Sequence, residues 1–309
     1  MQVAIIDLGT NTFNLLIAEL TTTESYRVIF NTKLPVRLGK GGINNNTLMP
    51  DALERGINTL AEYKKIIDEY KIDKVFAFAT SAIREAINGT EFIKKAGDIG
   101  IDVTIISGDK EADLIYKGVQ LAVDIGSHPA LIMDIGGGST EFIIADKYKI
   151  YWKQSFLLGV SRILEKFNPS DPVSENESMQ IESYFREKLT PLLKAVKEFP
   201  VTELIGSSGS FDSFADIILH KFHEPDNLKG KTEYVFDLKE VEQIFKELLV
   251  SDREQRRNTK GLIEMRADLI VMAVLLTRFV LKEIKLTKMR LSTYALKEGV
   301  MHELMQNKF

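Results

Sequence analysis

Short apolar runs set off by turn residues fill the first third of the chain. Residues 3–6 and 15–20 read as strands, separated by the polar, glycine-containing stretch 7–12. Residues 21–25 read as a turn and 26–31 as a third strand, while 39–46, rich in glycine and asparagine, read as a loop. Pro50 and Asp51 then open a pattern of helical period (Leu53, Ile57, Leu60, Ile67) that predicts a helix to about Tyr70. Residues 75–79 read as a buried strand. A helix follows from about Ser81, interrupted at Asn88-Gly89; then come a strand at 103–106 and, after Ser107-Gly108-Asp109, a helix to about Val123. Three strands followed by alternating helices and strands predict a mixed sheet with helices on its faces.

The opening pattern then returns, offset by 127 residues. Residues 130–133 read as a strand, 134–140 as a glycine-rich loop, 142–145 as a strand, Asp146-Lys147 as a turn and 149–156 as a third strand. Placing Asp7 on Asp134 brings Gly9 onto Gly136, Thr12 onto Ser139 and Ala18 onto Ala145 without a gap. Two hairpins alike by chance are the weaker account of so long a shared register. A period of this size predicts two domains of one fold rather than a solenoid. The expected division is 1–124 and 125–309, and it leaves open that the final helix packs back on the first domain. The remainder reads as mostly helical: 160–167, about 174–198, 211–220, 238–249, 262–284 and 296–306. A strand at 203–205 leads into a third glycine-containing loop, 206–210, and a short strand near 289–291 precedes the last helix.

Composition narrows the function classes. The 309 residues suit about two domains, and with 44% hydrophobic and 27% charged residues the chain is not of a disordered type. Forty basic against 44 acidic side chains give a net charge of -4. A nucleic-acid binder would show a basic excess, so no nucleic-acid partner is expected. If the substrate is an anion, attraction has to be local. The absence of cysteine removes disulfides, thiolate metal sites and cysteine nucleophiles, and is compatible with a reducing compartment. The start of the chain shows no signal-peptide pattern, and the most apolar run, 269–281, contains Arg278 and is too short to span a bilayer. A cytoplasmic protein without a membrane partner is expected.

The candidate chemistry lies in the loops. Asp7-Leu8-Gly9-Thr10-Asn11-Thr12 and Asp134-Ile135-Gly136-Gly137-Gly138-Ser139-Thr140 each follow a strand and combine glycine with hydroxyls. Small residues let backbone N–H groups approach an anion, and hydroxyls add donors. Two equivalent loops facing each other across a cleft would clamp a chain of phosphates; ordinary hairpin turns are the plainer alternative. Asp7 and Asp134 would repel a phosphate unless a cation lies between. Mg²⁺ suits that place, held by one or two carboxylates plus waters and phosphate oxygens, with Glu141 as a further ligand. The alternative is that both aspartates only hydrogen-bond their own turns. On the residues alone, Glu111 in a first helical turn reads as complementing the helix dipole, with a general base as the second reading. Arg84 is either a phosphate ligand or half of a surface salt bridge. Arg37 and Lys40 are similar candidates, and His220 with His223 reads as an exposed helix end rather than a metal site.

Four segments in order carry a family resemblance: Ile6-Asp7-Leu8-Gly9-Thr10-Asn11-Thr12, Ala79-Thr80-Ser81-Ala82-Ile83-Arg84-Glu85-Ala86-Ile87-Asn88-Gly89, Ile106-Ser107-Gly108-Asp109-Lys110-Glu111-Ala112 and Asp134-Ile135-Gly136-Gly137-Gly138-Ser139-Thr140-Glu141. Weaker matches continue through Leu158-Gly159-Val160, 206–210, Arg266-Ala267-Asp268 and Leu296-Lys297-Glu298-Gly299. The chain resembles the Ppx/GppA phosphatases along its whole length, in their short form. The resemblance implies an α/β fold of the actin-like ATPase superfamily (sugar kinase, heat-shock chaperone, actin), with two ribonuclease-H-like domains and an interdomain cleft. It implies an exopolyphosphatase releasing terminal orthophosphate, or a guanosine pentaphosphate (pppGpp) phosphohydrolase. By the same match Glu111 becomes the general base, Arg84 a phosphate ligand, Asp134 and Glu141, with Asp7, the Mg²⁺ site, and 9–12 with 136–140 the phosphate loops. The family's habits add a homodimer as an option. The chain departs from the pattern at Asn14 and Lys297, where the family often has a basic residue and arginine, at Lys110, where it commonly has an acid, and at Ser208-Gly209, where it usually has a glycine pair. A kinase of the same fold and a phosphate-sensing protein without turnover are the competing readings.

Overall fold

The first strand of each half is apolar on both faces, because it lies at the centre of a sheet covered by helices. In the computed structural model, which describes residues 1–21, 25–72 and 74–306, these strands are β1 (Gln2–Leu8) and, counting in chain order, β6 (Ala130–Ile135). The turn expected at 21–25 falls partly outside the described residues. The first sheet contains β1, β2 (Thr12–Leu20), β3 (Tyr26–Pro35), β4 (Lys74–Ala79) and β5 (Val103–Ile105), in the order β3-β2-β1-β4-β5. β2 runs antiparallel to β1 and β3, and β4 and β5 run parallel to β1. Its helices are α1 (Pro50–Glu69), α2 (Ser81–Arg84), α3 (Gly89–Asp98) and α4 (Gly108–Ala122).

The same order recurs. In the second sheet β6, β7 (Thr140–Ala145), β8 (Ile150–Phe156), β9 (Glu203–Ser207) and β11 (Lys288–Ser292) stand as β11-β9-β6-β7-β8, and β10 (Glu233–Phe236) pairs antiparallel with β11 at the edge. The irregularity between β2 and β3 after Ile17 has its counterpart between β7 and β8 after Ile144, at the repeat offset read from the sequence. The helices of this half are α5 (Val160–Phe167), α6 (Glu175–Lys188), α7 (Thr190–Glu198), α8 (Ser208–Phe222), α9 (Leu238–Val250), α10 (Arg253–Arg257), α11 (Ile270–Ile284) and α12 (Leu296–Met305). This is the expected α/β class, a mixed sheet in each half with helices on its faces.

Three buried apolar clusters explain how the halves are joined. One fills the outer side of the first sheet, under α1 and α3, and one the outer side of the second sheet, under α6, α8, α9 and α11. The third lies between the sheets. It combines Val3 and Ile5 of β1 with Ile132 of β6, Leu114, Ile115 and Val119 of α4, and Val300, Met301 and Leu304 of α12. α4 and α12 therefore form a shared middle layer. A Cβ added to Gly118 would stand 1.9 Å from the Ala295 carbonyl oxygen, and one on Gly299 would stand 1.8 Å from that of Leu114. The two helices touch backbone to backbone only because both positions are glycine.

The structure corrects several expected boundaries. The helix expected over 174–198 is two helices, broken at Leu189, with Pro191 in the first turn of α7, where its missing N–H costs nothing. The helix expected from 262 begins at Ile270, after a short 3₁₀ turn at Glu264–Arg266. β10 and α10 lack a periodic signal long enough to read. The third glycine-containing loop is not a loop: Gly206 and Ser207 finish β9, and Ser208 starts α8. Among the described residues no helix is long and apolar enough to cross a membrane.

Candidate active site

The two glycine loops adopt the same turn. Gly9 N–H donates to the Thr12 carbonyl at 3.1 Å, and Gly136 N–H to that of Ser139 at 3.0 Å. Each turn aims its middle residues into the gap between the sheets, and there the loops meet. A Cβ on Gly137 would lie 2.6 Å from Asn11 Nδ2, and one on Gly138 2.6 Å from Thr10 Oγ1. The glycines at 137 and 138 are what lets the loops close on each other. Among the described residues, the N–H groups of Thr10, Asn11, Gly137 and Gly138 make no backbone hydrogen bond. The α5 start supports the second loop from behind: Val160 N–H bonds the Gly136 carbonyl, and Ser161 Oγ donates to Asn11 Oδ1 at 2.7 Å, tying the halves together.

A cleft of about 190 Å³ opens between the loops. Asp7, Gly9, Thr10, Asn11, Thr12, Glu111, Asp134, Gly136, Gly137, Gly138 and Ser139 line it. Three expected site residues stand outside its wall. Thr140 is fully buried, and its hydroxyl donates to the Leu158 carbonyl at 2.8 Å. Glu141 lies behind the loop, its Oε1 accepting from Ser139 and Ser155 at 2.7 and 2.6 Å. Arg84 is turned toward carboxylates: its Nη1 donates to Glu111 Oε2 at 2.8 Å and its Nε to Glu85 Oε1 at 2.9 Å. Glu111 is thus neither an exposed dipole partner nor alone. It is 7% exposed, in the first turn of α4, and held by an arginine from α2.

The carboxylates carry unusual proton affinities. Burial, reinforced by the Glu141 charge, pushes Glu111 well above the ordinary carboxylate range, and Arg84 only partly offsets it. Glu141 is pushed up to about 7, by burial and then by the Asp134 charge. Burial raises Asp7 to about 6, with Lys297 opposing and Asp134 adding. Asp134 is also raised by burial, against the hydroxyls of Ser207 and Ser208, each of which donates to its Oδ2 at 2.7 Å. Asp7 Oδ2 accepts from Asn14 Nδ2 at 3.0 Å. Asp7, Asp134 and Glu141 each keep a second oxygen without a hydrogen-bond donor among the described residues. An all-oxygen set of undersupplied carboxylates, Asp134 and Glu141 buried and Asp7 half-buried, fits a hard divalent cation. Among the described residues no three acidic or histidine side chains come close enough to cage a metal by themselves.

Other candidates sort cleanly. Arg37 and Lys40 do not line the cleft, whereas Arg266 does. His220 and His223 bond the Asp216 carbonyl and Glu240 at a helix end, as expected. Lys33, Asp212 and Thr293 line the cleft without having been marked by any motif. Lys33 was legible only through its place opposite Asn14 in the β2–β3 ladder, which needs the register.

The chain matches the Ppx/GppA phosphatase family over residues 16–308. It is 39% identical to an exopolyphosphatase of Cytophaga hutchinsonii of known structure, with a TM-score of 0.96 over 99% of this chain and 98% of that one. It is 27% identical to the Ppx/GppA family member of Aquifex aeolicus, with a TM-score of 0.81 over 100% and 99% of the two chains. It is also 28% identical to a guanosine-5'-triphosphate,3'-diphosphate pyrophosphatase of Vibrio atlanticus over 97% of this chain, but spans only 59% of the length of that relative. With the family's four segments gathered on one cleft and the match running nearly end to end, the chain belongs to the Ppx/GppA phosphatase family.

Proposed function

We propose that this protein is an exopolyphosphatase, releasing orthophosphate from the end of inorganic polyphosphate, with the 5'-phosphate of guanosine pentaphosphate as the second substrate to test. The observation that carries the reading is Glu111: a buried carboxyl of raised proton affinity, clasped by Arg84, on the wall of a cleft made by two phosphate-type loops. The inorganic chain ranks first because the exopolyphosphatase of Cytophaga hutchinsonii matches over nearly its whole length. The guanosine reading is supported by the Vibrio relative.

Phosphoryl transfer asks for placement and charge more than covalent chemistry. The loop N–H groups of 10, 11, 137 and 138, with the hydroxyls of Thr10 and Thr12, receive the terminal phosphoryl oxygens. Glu111 accepts the proton of the attacking water as its oxygen bonds to phosphorus. The bridging P–O bond breaks, and the shortened chain leaves. Arg84, behind the cleft wall, fixes the Glu111 carboxylate. Mg²⁺, held by Asp134 and Asp7 with Glu141 behind, supplies positive charge against the phosphates when bound. The halves divide near residue 124, with α12 returned to the first, and the reaction is placed in the cytoplasm.

Phosphate release from polyphosphate, guanosine pentaphosphate and ATP, each with Mg²⁺ and with a chelator, tests the proposal. Metal-dependent release from polyphosphate is expected, and Glu111→Gln should lower kcat by about 10²–10⁴-fold with its melting temperature preserved. Release from ATP alone, or unchanged turnover in the variant, would sink it.

A further inference from the structure

One cation in the cleft forms no close ion pair among the described residues. Lys33 stands directly across the β2–β3 ladder from Asn14, and both line the cleft. Opposed residues of an antiparallel pair share a face of the sheet. Asn14 is neutral and its amide is spent on Asp7. Lys33, on the edge strand, forms no hydrogen bond or ion pair among the described residues.

Two more cations line the same cleft from the other half. Arg266 Nη1 donates to Ser213 Oγ at 2.7 Å, and its Nη2 lies 3.8 Å from Asp212. Lys297, in the first turn of α12, lies 2.7 Å from Glu298 Oε1. Each of these two lies within 3.8 Å of a carboxylate; Lys33 makes no contact that close, and the charges of Asp212 and Asp7 act on it from further off. Loss of hydration in the cleft, and then the Arg266 charge, lower the proton affinity of the Lys33 ammonium although the residue as a whole is exposed, and the Asp212 and Asp7 charges only partly offset this cost. A polyanion lying among the three cations removes that cost and gains charge-assisted hydrogen bonds.

Resting on the function proposed above, we propose that Lys33 holds the phosphoryl group behind the terminal one, on the leaving side, with Arg266 and Lys297 across from it. The ligand chemistry is a linear phosphoanhydride, which an inorganic chain and a nucleoside triphosphate share.

Two probes that resist cleavage separate those sources: methylene-bridged inorganic triphosphate and guanosine 5'-(β,γ-methylene)triphosphate. Their dissociation constants are measured by calorimetry on the unaltered protein, Lys33→Gln and Lys33→Arg. Lys33→Gln should weaken both by about tenfold, which corresponds to about 1.4 kcal/mol. Lys33→Arg, which keeps the charge, should return both to within about threefold of the parent. A Lys33→Gln protein that binds both as the parent does, or that loses only the nucleotide, overturns the assignment. A parent that binds neither probe overturns the proposed function itself, and this assignment with it.

Discussion

Ser208 occupies a backbone conformation, φ 68°, that ordinarily goes to glycine. Its hydroxyl gives a reason for serine there: it joins that of Ser207 in donating to Asp134 Oδ2. A glycine here would avoid the strain and forgo the bond. Two substitutions separate the effects. Ser208→Gly should raise stability by up to about 1 kcal/mol by relieving the left-handed backbone. Ser208→Ala keeps the strain, loses the bond and should lower stability by about 1 kcal/mol. Both remove a donor from Asp134, so both should raise its proton affinity and the Mg²⁺ concentration needed for half-maximal activity at neutral pH. Thermal melts and a metal titration read the two quantities. Stability changes of the same sign in both variants would refute the account.

The α4–α12 pair carries the element-scale argument. Glu303 of α12 bonds the ammonium groups of Lys110, at 2.7 Å, and Lys117, both from α4. Burial opposes its charge, yet the two lysines outweigh burial and hold the carboxyl below its ordinary range. Lys110 thus ties α12 to α4. With backbones in contact at Gly118 and Gly299, Gly118→Ala should cost at least about 2 kcal/mol, because carbonyl groups cannot move aside as side chains do. A melting temperature equal to the parent's would show that the helices slide freely. None of this could be read from the sequence, where Gly118 and Gly299 look like weak points in two ordinary helices. The repeat was legible, because Asp7, Gly9 and Ala18 fall on Asp134, Gly136 and Ala145 and strand registers keep that spacing. So were both loops; Glu111 was not, since on the residues alone it read as a helix-dipole partner and only the family resemblance brought it to the site. Thr140 and Glu141 were placed at the site by motif, but a strand alternates its side chains, and Thr140 faces the core instead of the cleft. Lys33 was invisible because its meaning comes from the opposite strand.

For the whole molecule, a net charge of -4 conceals a cleft that concentrates both signs. Asp7, Glu111, Asp134 and Glu141 all bind protons more tightly when folded than as ordinary carboxylates. In the unfolded chain such groups titrate near 4. Between about pH 4 and pH 7 the folded protein therefore holds more protons than the unfolded one, and stability falls as pH rises through that window. Groups of the opposite kind set the acid limit: hydrogen bonds from Ser170 and Ser174 hold Glu177 down to about 2, and its contribution is lost as pH falls below about 4.5. Stability should accordingly peak at mildly acid pH and decline by pH 8, when the cleft carboxylates are charged together. A divalent cation that binds them in the folded state alone adds stability by mass action. Because protons compete for the same oxygens, Mg²⁺ should raise the melting temperature more at pH 8 than at pH 5, and Asp7→Asn should flatten the decline between those values. Melts at both pH values, with and without Mg²⁺, provide the check: a stability that rises from pH 5 to pH 8, or a metal effect equal at both, would mean that these carboxylates do not share the cation site.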